Sequence, residues 1–520
     1  MTTTMAERAP HGRRLPRRAL LPLLVGLAFA PCSRAEITFT PSMIVKETWT
    51  DNVNLSPREQ ARSEFVTELA PAFSVAARNQ RMQLAARYQF RRFLYSDDDA
   101  PNLRDSGSDL QADFKARVLD DLLFLDAAAS RGQQTVSAFG QQFSDNPYST
   151  SNRTNVSTWR VSPYLTHRFG SSAVLLARYT RDSVETGREG YGNTRGDSYS
   201  LALSSPQERR IGWNLRYDRQ DLTDRLAGDS STESIGAGLS WRVLPTLTLN
   251  AGGGYDDNDY QALGGRTRGN NWNAGFQYSP SARTTLSMSV GHRYFGKSRS
   301  LSALHRSRHT VWNIGFSESV TTTRSQFTLP SAVDTAELLD RLFTPNFPDP
   351  EQRRLAIAAY LQATGLPPTL ADDVNYLSNR YMLQKQFQAS AAFQGARSTL
   401  LLSLYDTRRE ALSVQQADSS LLGSSLFNLN DNTRQRGVAA NMTYRLSARA
   451  SAYALLNAAH SNSLSTGARQ TNRGVRLGLQ RRFQRALQGN VELRRLEGSG
   501  SGGGTSYSEN AISATLSMTF

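Results

Sequence analysis

The sequence predicts an all-β fold: an up-and-down antiparallel transmembrane β-barrel of about 22 strands, with one helical insert. Three observations lead to it. The first is a strict two-residue alternation of apolar and polar residues in Ile211–Asp218, Ile235–Val243, Leu247–Tyr255, Trp272–Tyr278, Leu286–Tyr294 and Trp312–Phe316. A strand points successive side chains to opposite faces, so each segment has one apolar and one polar wall. The second is the placing of rings near segment ends. Trp213, Trp241, Tyr255, Trp272, Tyr278, Tyr294 and Trp312 form a candidate aromatic girdle, with Leu, Ala, Val and Met between them. That is the profile of a lipid-facing strand. The third is the other wall, made of Gly, Ser, Asn, Gln and Arg, which would be a poor core for a soluble sandwich. Closure into a barrel also hides every strand edge, as hydrocarbon requires.

Taken in order, the chain opens on a secretory signal. Arg13, Arg14, Arg17 and Arg18 precede the apolar run Ala19–Ala30, and Ser33-Arg34-Ala35 offers a cleavage site, so residues 1–35 read as a signal peptide. Pro31 before Cys32 argues against a lipoprotein, which needs a small residue there. No run reaches the ~20 apolar residues of a helical span. Cleavage removes the only cysteine and lowers the formal charge from +15 to +10, because six arginines and Glu7 leave with it. The mature chain 36–520 then has no thiol or thiolate metal site, and export takes it away from nucleic acid.

Strands follow at Ile37–Trp49, Phe65–Arg78, Leu84–Arg91, Leu110–Leu119, Leu122–Arg131, Val156–Phe169, Ala173–Tyr179 and Tyr199–Ser205. A long polar loop around Asp145-Asn-Pro-Tyr148 separates the fifth from the sixth, and Gly170-Ser171 is a hairpin turn. Short turns and long loops alternate along the chain, as periplasmic turns and extracellular loops do in outer-membrane barrels. The segment 328–377 departs from this. A short helix fits Ala336–Phe343, and a second fits the residues after Asp349, with Pro350 in the first turn and Gly365 beyond the end. Such an insert is a plug, a lid, a docking element or a plain loop. Ser325–Pro330 is counted as a short strand, and the stretch around His305 and His309 as a loop. Strands then run Ser378–Gly395, Leu400–Arg409, Gly437–Arg449, Ala452–Ser463, Arg473–Leu487, Asn490–Leu496 and Tyr507–Phe520. Gly498–Gly504 reads as a flexible extracellular loop. Leu516, Met518 and Phe520 match the C-terminal signal read by the bacterial barrel-assembly machinery. The outer membrane of a Gram-negative bacterium, with its lipid and lipopolysaccharide, is the expected setting.

Glu47-Thr-Trp-Thr-Asp-Asn-Val-Asn-Leu55 and Val374-Asn-Tyr-Leu-Ser-Asn-Arg-Tyr-Met-Leu-Gln-Lys385, leading to Gly395-Ala-Arg-Ser398, go further. Through them the chain resembles the outer-membrane β-barrel family associated with the PEP-CTERM/exosortase system. The resemblance implies an outer-membrane component found with exosortase and exopolysaccharide production; it brings no catalytic residues.

The alternation points Arg87, Arg91, Arg178, Arg216, Arg242 and Arg293 into the lumen. Either they form a salt-bridged, self-neutralising wall, or a basic lumen that favours anionic polysaccharide. His305 and His309 would pair on a metal only in a helix, so no metal and no cofactor is expected. The leading expectation is a non-enzymatic, porin-like barrel assisting export or surface retention of exopolysaccharide or exosortase-sorted proteins, with secretion-system proteins as partners. The alternatives are a structural or adhesion scaffold without a conducting pore, and an outer-membrane hydrolase using His292 or His460.

Overall fold

A computed structural model describes residues 36–520 except 98–102, 143–145, 188–192, 207–208, 225–227, 261–262, 264–266, 323, 326–334, 345–352, 354–356, 358–380, 414–431 and 503. The expected signal peptide lies outside the described residues. So does the helix expected after Asp349, apart from Arg353 and Ile357, which are helical.

The first strands are β1 (Glu36–Thr50), β2 (Glu64–Arg78), β3 (Met82–Tyr95), β4 (Ser106–Leu119), β5 (Leu123–Thr135), β6 (Arg153–Phe169) and β7 (Ala173–Thr186). Next come β8 (Thr194–Ser204), β9 (Ile211–Asp224), β10 (Gly228–Leu244), β11 (Leu247–Asp259), β12 (Arg268–Ser281), β13 (Thr284–Arg293), β14 (Gly296–Arg306) and β15 (Thr310–Thr321). A helix, α1 (Thr335–Phe343), precedes β16 (Met382–Gln394), β17 (Ser398–Ala411), β18 (Asn432–Arg445) and β19 (Ala450–Ser463). The last are β20 (Arg469–Arg482), β21 (Leu487–Ser501) and β22 (Tyr507–Thr519). Each strand pairs antiparallel with its neighbours in sequence. β1 meets β22 from Ser42↔Thr519 to Thr50↔Ala511, which closes a 22-stranded barrel.

The period-two pattern becomes two walls. Opposite residues share a face, so Trp213↔Leu239, Leu215↔Ala237 and Tyr217↔Ile235 build the outside while Asn214↔Gly238 and Arg216↔Gly236 build the inside. Outward Leu239, Ile235, Val438 and Leu493 are each more than half exposed. An apolar wall running around the molecule is solvated by acyl chains, not water. The closed sheet with this apolar band is an outer-membrane β-barrel.

The strand number agrees with the sequence reading, but one member differs. β14 is a full strand paired on both sides, so the stretch holding His305 is not a loop. Conversely Arg324 and Ser325 are helical, and the rest of the expected Ser325–Pro330 strand lies outside the described residues. β14 was hard to see because only Leu301 and Ala303 are apolar on its outer face, while Leu304 interrupts the inner one. Gly498 and Gly500 also belong to a strand rather than a loop. The Tyr507 ring lies where a Gly498 side chain would be, and Gln470 and Gly504 crowd Gly500. Short turns share one rim with the start of β1 and the end of β22. The alternation of turn lengths is not strict, since β13 and β14 are joined on the opposite rim by Tyr294-Phe295 alone.

Candidate functional site

The lumen wall is polar and largely neutralised. Arg91 pairs with Asp109 at 2.9 Å and Glu68 at 3.6 Å. Arg178 reaches Asp126 at 3.2 Å and lies 4.0 Å over the Tyr164 ring, which stacks on Phe124. Arg216 grips Asp218, two residues along the same face. Arg293 holds Asp256 with two parallel bonds of 3.1 and 2.8 Å, and Asp256 is only 1% exposed. Arg242 sits opposite Thr248 at the short-turn end. Arg87 lines a cavity of about 300 Å³ with Ser42, Tyr453 and Gln480, and makes no ion pair among the described residues. Arg91, Arg178, Arg216 and Arg293 therefore each already hold a carboxylate.

Between those pairs the wall offers amides and hydroxyls. A cavity of about 630 Å³ is bordered by Gln220, Asn258, Asn271, Asn273, Ser289 and Ser298 beside the Arg293–Asp256 pair. These side chains present uncharged hydrogen-bond donors and acceptors to the lumen.

At the extracellular mouth the chain packs against its own inner wall. Residues 136–152 read as a polar loop, yet 136–142 and 146–152 fold inward and bury Val136, Ala138, Phe139, Asn146 and Tyr148. Phe139 packs with Met382 of β16 and Ala468 beyond β19, while Tyr148 joins Val53, Val66 and Phe93. The tip is held by Glu509 of β22, which is fully buried. Its carboxylate accepts from Asn146 Nδ2 at 3.2 Å and Thr50 Oγ1 at 2.8 Å. Arg494, 2% exposed, donates to the same carboxylate at 2.8 and 3.1 Å. Tyr507 Oη accepts from the Gln142 backbone N–H at 3.2 Å. A charged pair this dry needs all of these partners, because desolvation alone would expel it.

Both ends of the insert are fastened across the mouth. After β15, Arg324 forms a bidentate pair with Asp182 of β7, its Nε donating at 2.5 Å, and both side chains are almost fully buried. Before β16, Tyr381 stacks on Tyr260 at 4.4 Å and shares a 2.8 Å hydrogen bond with Ser230. Tyr260 in turn hydrogen-bonds Tyr294. Burial pushes all three phenols above their ordinary pKa of 10.0. Between these anchors, α1 packs against β15 and β16 with Leu339 and Leu342 buried. Its last residue, Phe343, borders a cavity of about 360 Å³ with Gly395, Arg397, Arg445 and Arg449 of the short-turn rim. The helix thus lies within the barrel, near its periplasmic end.

The aromatic residues divide by rim. Trp213, Trp241, Tyr278 and Trp312 face outward near the short turns, and Tyr255 and Trp272 face outward near the other rim. Tyr294 is a correction: it occupies the two-residue β13–β14 turn and faces the tyrosine cluster of the mouth, not lipid. Leu516, Met518 and Phe520 are outward and exposed. His292 and His460 also face outward, opposite Lys297 and Arg436. His305 bonds Thr284 on the outer wall. No group of His, Cys, Asp and Glu among the described residues could hold a metal ion.

The mouth residues were missed from the sequence, although a signal existed. Extending the inward phase of the last strands reaches Arg494 and Glu509. A 17-residue connection containing Val136, Ala138, Phe139 and Tyr148 is too long and too apolar to be an idle loop.

In sequence, no protein family and no curated protein matches the chain. In structure, it is similar to the siderophore receptor PirA from Acinetobacter baumannii, at 7% identity and a TM-score of 0.49, covering 94% of this chain and 81% of that one. The FrpB iron transporter from Neisseria meningitidis (F3-3 variant) is 9% identical with a TM-score of 0.48, covering 92% and 82%. A loop-deletion form of OmpT, an outer membrane protein of Vibrio cholerae, is 9% identical with a TM-score of 0.32, covering 94% and 99%.

Proposed function

We propose that this outer-membrane barrel is a gated, non-enzymatic conduit that assists export or surface retention of a polyhydroxylated polymer. Exopolysaccharide is the cargo class that best fits the wall. The observation that carries the proposal is a 22-stranded barrel whose inner wall carries amides, hydroxyls and self-paired arginines, with the infolded loop and α1 packed against it. A strongly basic lumen would hold an anionic polymer; Arg–Asp pairs spaced among Asn, Gln and Ser instead let a neutral or weakly charged chain slide. The resemblance to the exosortase-associated barrels supports the same reading and adds exosortase-sorted proteins as a second cargo. The hydrolase alternative loses support because His292 and His460 lie on the outer wall, away from any lumen nucleophile.

Planar-bilayer recordings test the gate. The intact chain is expected to conduct rarely, and Asp182→Asn or excision of residues 326–380 to raise open probability at least about tenfold, since one buried charged contact is worth a factor of that size. Reversal potentials in a salt gradient should show weak selectivity. A strain lacking the protein should secrete less polysaccharide, and the Asp182→Asn form should restore it. If every variant stays closed and secretion is unchanged, the barrel is a scaffold without a pore.

A further inference from the structure

The outer wall carries a second charged feature, unrelated to conduction. On β16–β20, just above the aliphatic band on the extracellular side, six cations face outward: Lys385, Arg408, Arg434, Arg436, Arg469 and Arg473. Register places them side by side. Lys385 is directly opposite Arg408, and Arg408 directly opposite Arg434. Asn462 separates Arg434 from Arg469 on the next two strands. Like charges directly opposite on one face of a sheet destabilise it. Compensation within the chain is partial: Glu318 lies directly opposite Lys385 and Glu497 directly opposite Arg473, which leaves the six cations in surplus. Lys385 and Arg408 share Glu410, at 3.2 and 2.6 Å. Arg434 and Arg436 share Asp406, at 2.6 and 3.1 Å. Arg469 and Arg473 are exposed and make no ion pair among the described residues.

The far side of the barrel differs at the same height. There Arg181 has Asp197 and Arg219 has Asp221, while Glu233 faces Asp257 directly across β10 and β11. That arc carries an acidic surplus and an aromatic rim, Tyr255 and Trp272. The β16–β20 arc has no tryptophan on its outer face and a cationic rim instead. Immediately below the cations lie Leu404, Val438, Leu456 and Leu477, each more than two-fifths exposed.

We infer that the outer face of β16–β20 is a binding site for a phosphorylated glycolipid of the outer leaflet. Acyl chains lie along the aliphatic strip, and phosphate monoesters sit in the row of guanidinium groups. The chemistry fits on three counts. Guanidinium forks bind phosphate oxygens bidentately. The row stands at headgroup height, where a phosphate relieves the like-charge crowding. The strip below gives the same molecule an apolar surface, which inorganic phosphate could not use.

Full-length protein, washed free of glycolipid in detergent, is offered bisphosphorylated lipid A, dephosphorylated lipid A or inorganic phosphate. Bound molecules are counted by native mass spectrometry. The wild type is expected to retain the bisphosphorylated lipid at least about tenfold better than the dephosphorylated one, as two lost charge-assisted bonds would imply. The combined variant Arg408→Gln/Arg434→Gln/Arg469→Gln should fall to the dephosphorylated level, while Arg219→Gln on the far arc should not change. Folding is checked by heat-modifiable gel migration. Should the triple variant not fold, Arg469→Gln/Arg473→Gln, which breaks no ion pair, carries the test. Equal retention of the two lipids, undiminished retention by the folded variant, or binding of free phosphate as tight as that of the lipid would each overturn the site.

Discussion

Two arcs of one barrel face the lumen differently. Along β19–β22 and β1–β3 the extracellular half of the inner face is dry. Glu509 and Arg494 are paired out of water there, Val53 and Phe93 pack on Tyr148 of the infolded loop, and Leu496 packs with Leu55 and Tyr507. Along β9–β14 the same face is more open, with Gly236, Gly291 and a row of amides lining a cavity. The first arc holds the infolded loop; the second borders a polar cavity of about 630 Å³.

The largest expected effect comes from breaking the first arc's hold on the infolded loop. Glu509→Ala removes the buried carboxylate to which Arg494, Asn146 and Thr50 all donate, which should cost about 3–5 kcal/mol. A melting scan in detergent should show the loss, and bilayer recordings should show frequent opening. A change below about 1 kcal/mol would mean that water already reaches this pair.

On the more open arc the effects shrink with exposure. Arg293→Ala leaves Asp256 buried without its bidentate partner and should cost about 1–3 kcal/mol. Arg216→Ala breaks a pair whose arginine side chain is 65% exposed, and should change stability by less than about 1 kcal/mol. Chemical denaturation of the two variants side by side checks the order; the reverse order would erase the distinction between the arcs.

The smallest effect is a pH response of the tyrosine cluster. Burial raises the pKa of Tyr260, Tyr294 and Tyr381 above 10.0, so their neutral forms are favoured in the closed mouth. Their contribution is fully present below that value and is lost as pH rises through the raised ones. Ultraviolet titration should show a late-ionising group of phenols, and conductance should increase only in that alkaline window. Tyr381→Phe, which removes the bond to Ser230, should bring the opening to lower pH.

The fold was mostly legible, because a lipid-facing strand writes its environment into every second residue. Trp272-Asn-Ala-Gly-Phe-Gln-Tyr278 leaves little choice of face. β14 was less legible because its outer face holds Lys297, Arg299 and His305 beside only two apolar residues; pairing with β13 and β15 makes it a strand. Tyr294 had the right phase for the girdle, yet a two-residue turn reoriented it toward Tyr260. The pairings within the mouth were illegible for a similar reason. Nothing in the local spacing of residues 136–152 says that Phe139 will meet Met382, some 240 positions away in the chain.

What the sequence determined by itself is therefore the wall: its period, its two solvents, its girdle and its closing C-terminal strand. Each is a property of neighbours along one chain segment, so local order suffices to encode it. The tertiary structure alone decided what fills the wall. Glu509 with Asn146, Arg324 with Asp182 and Tyr381 with Tyr260 are meetings across the lumen. Such contacts depend on curvature and closure, which no segment carries on its own.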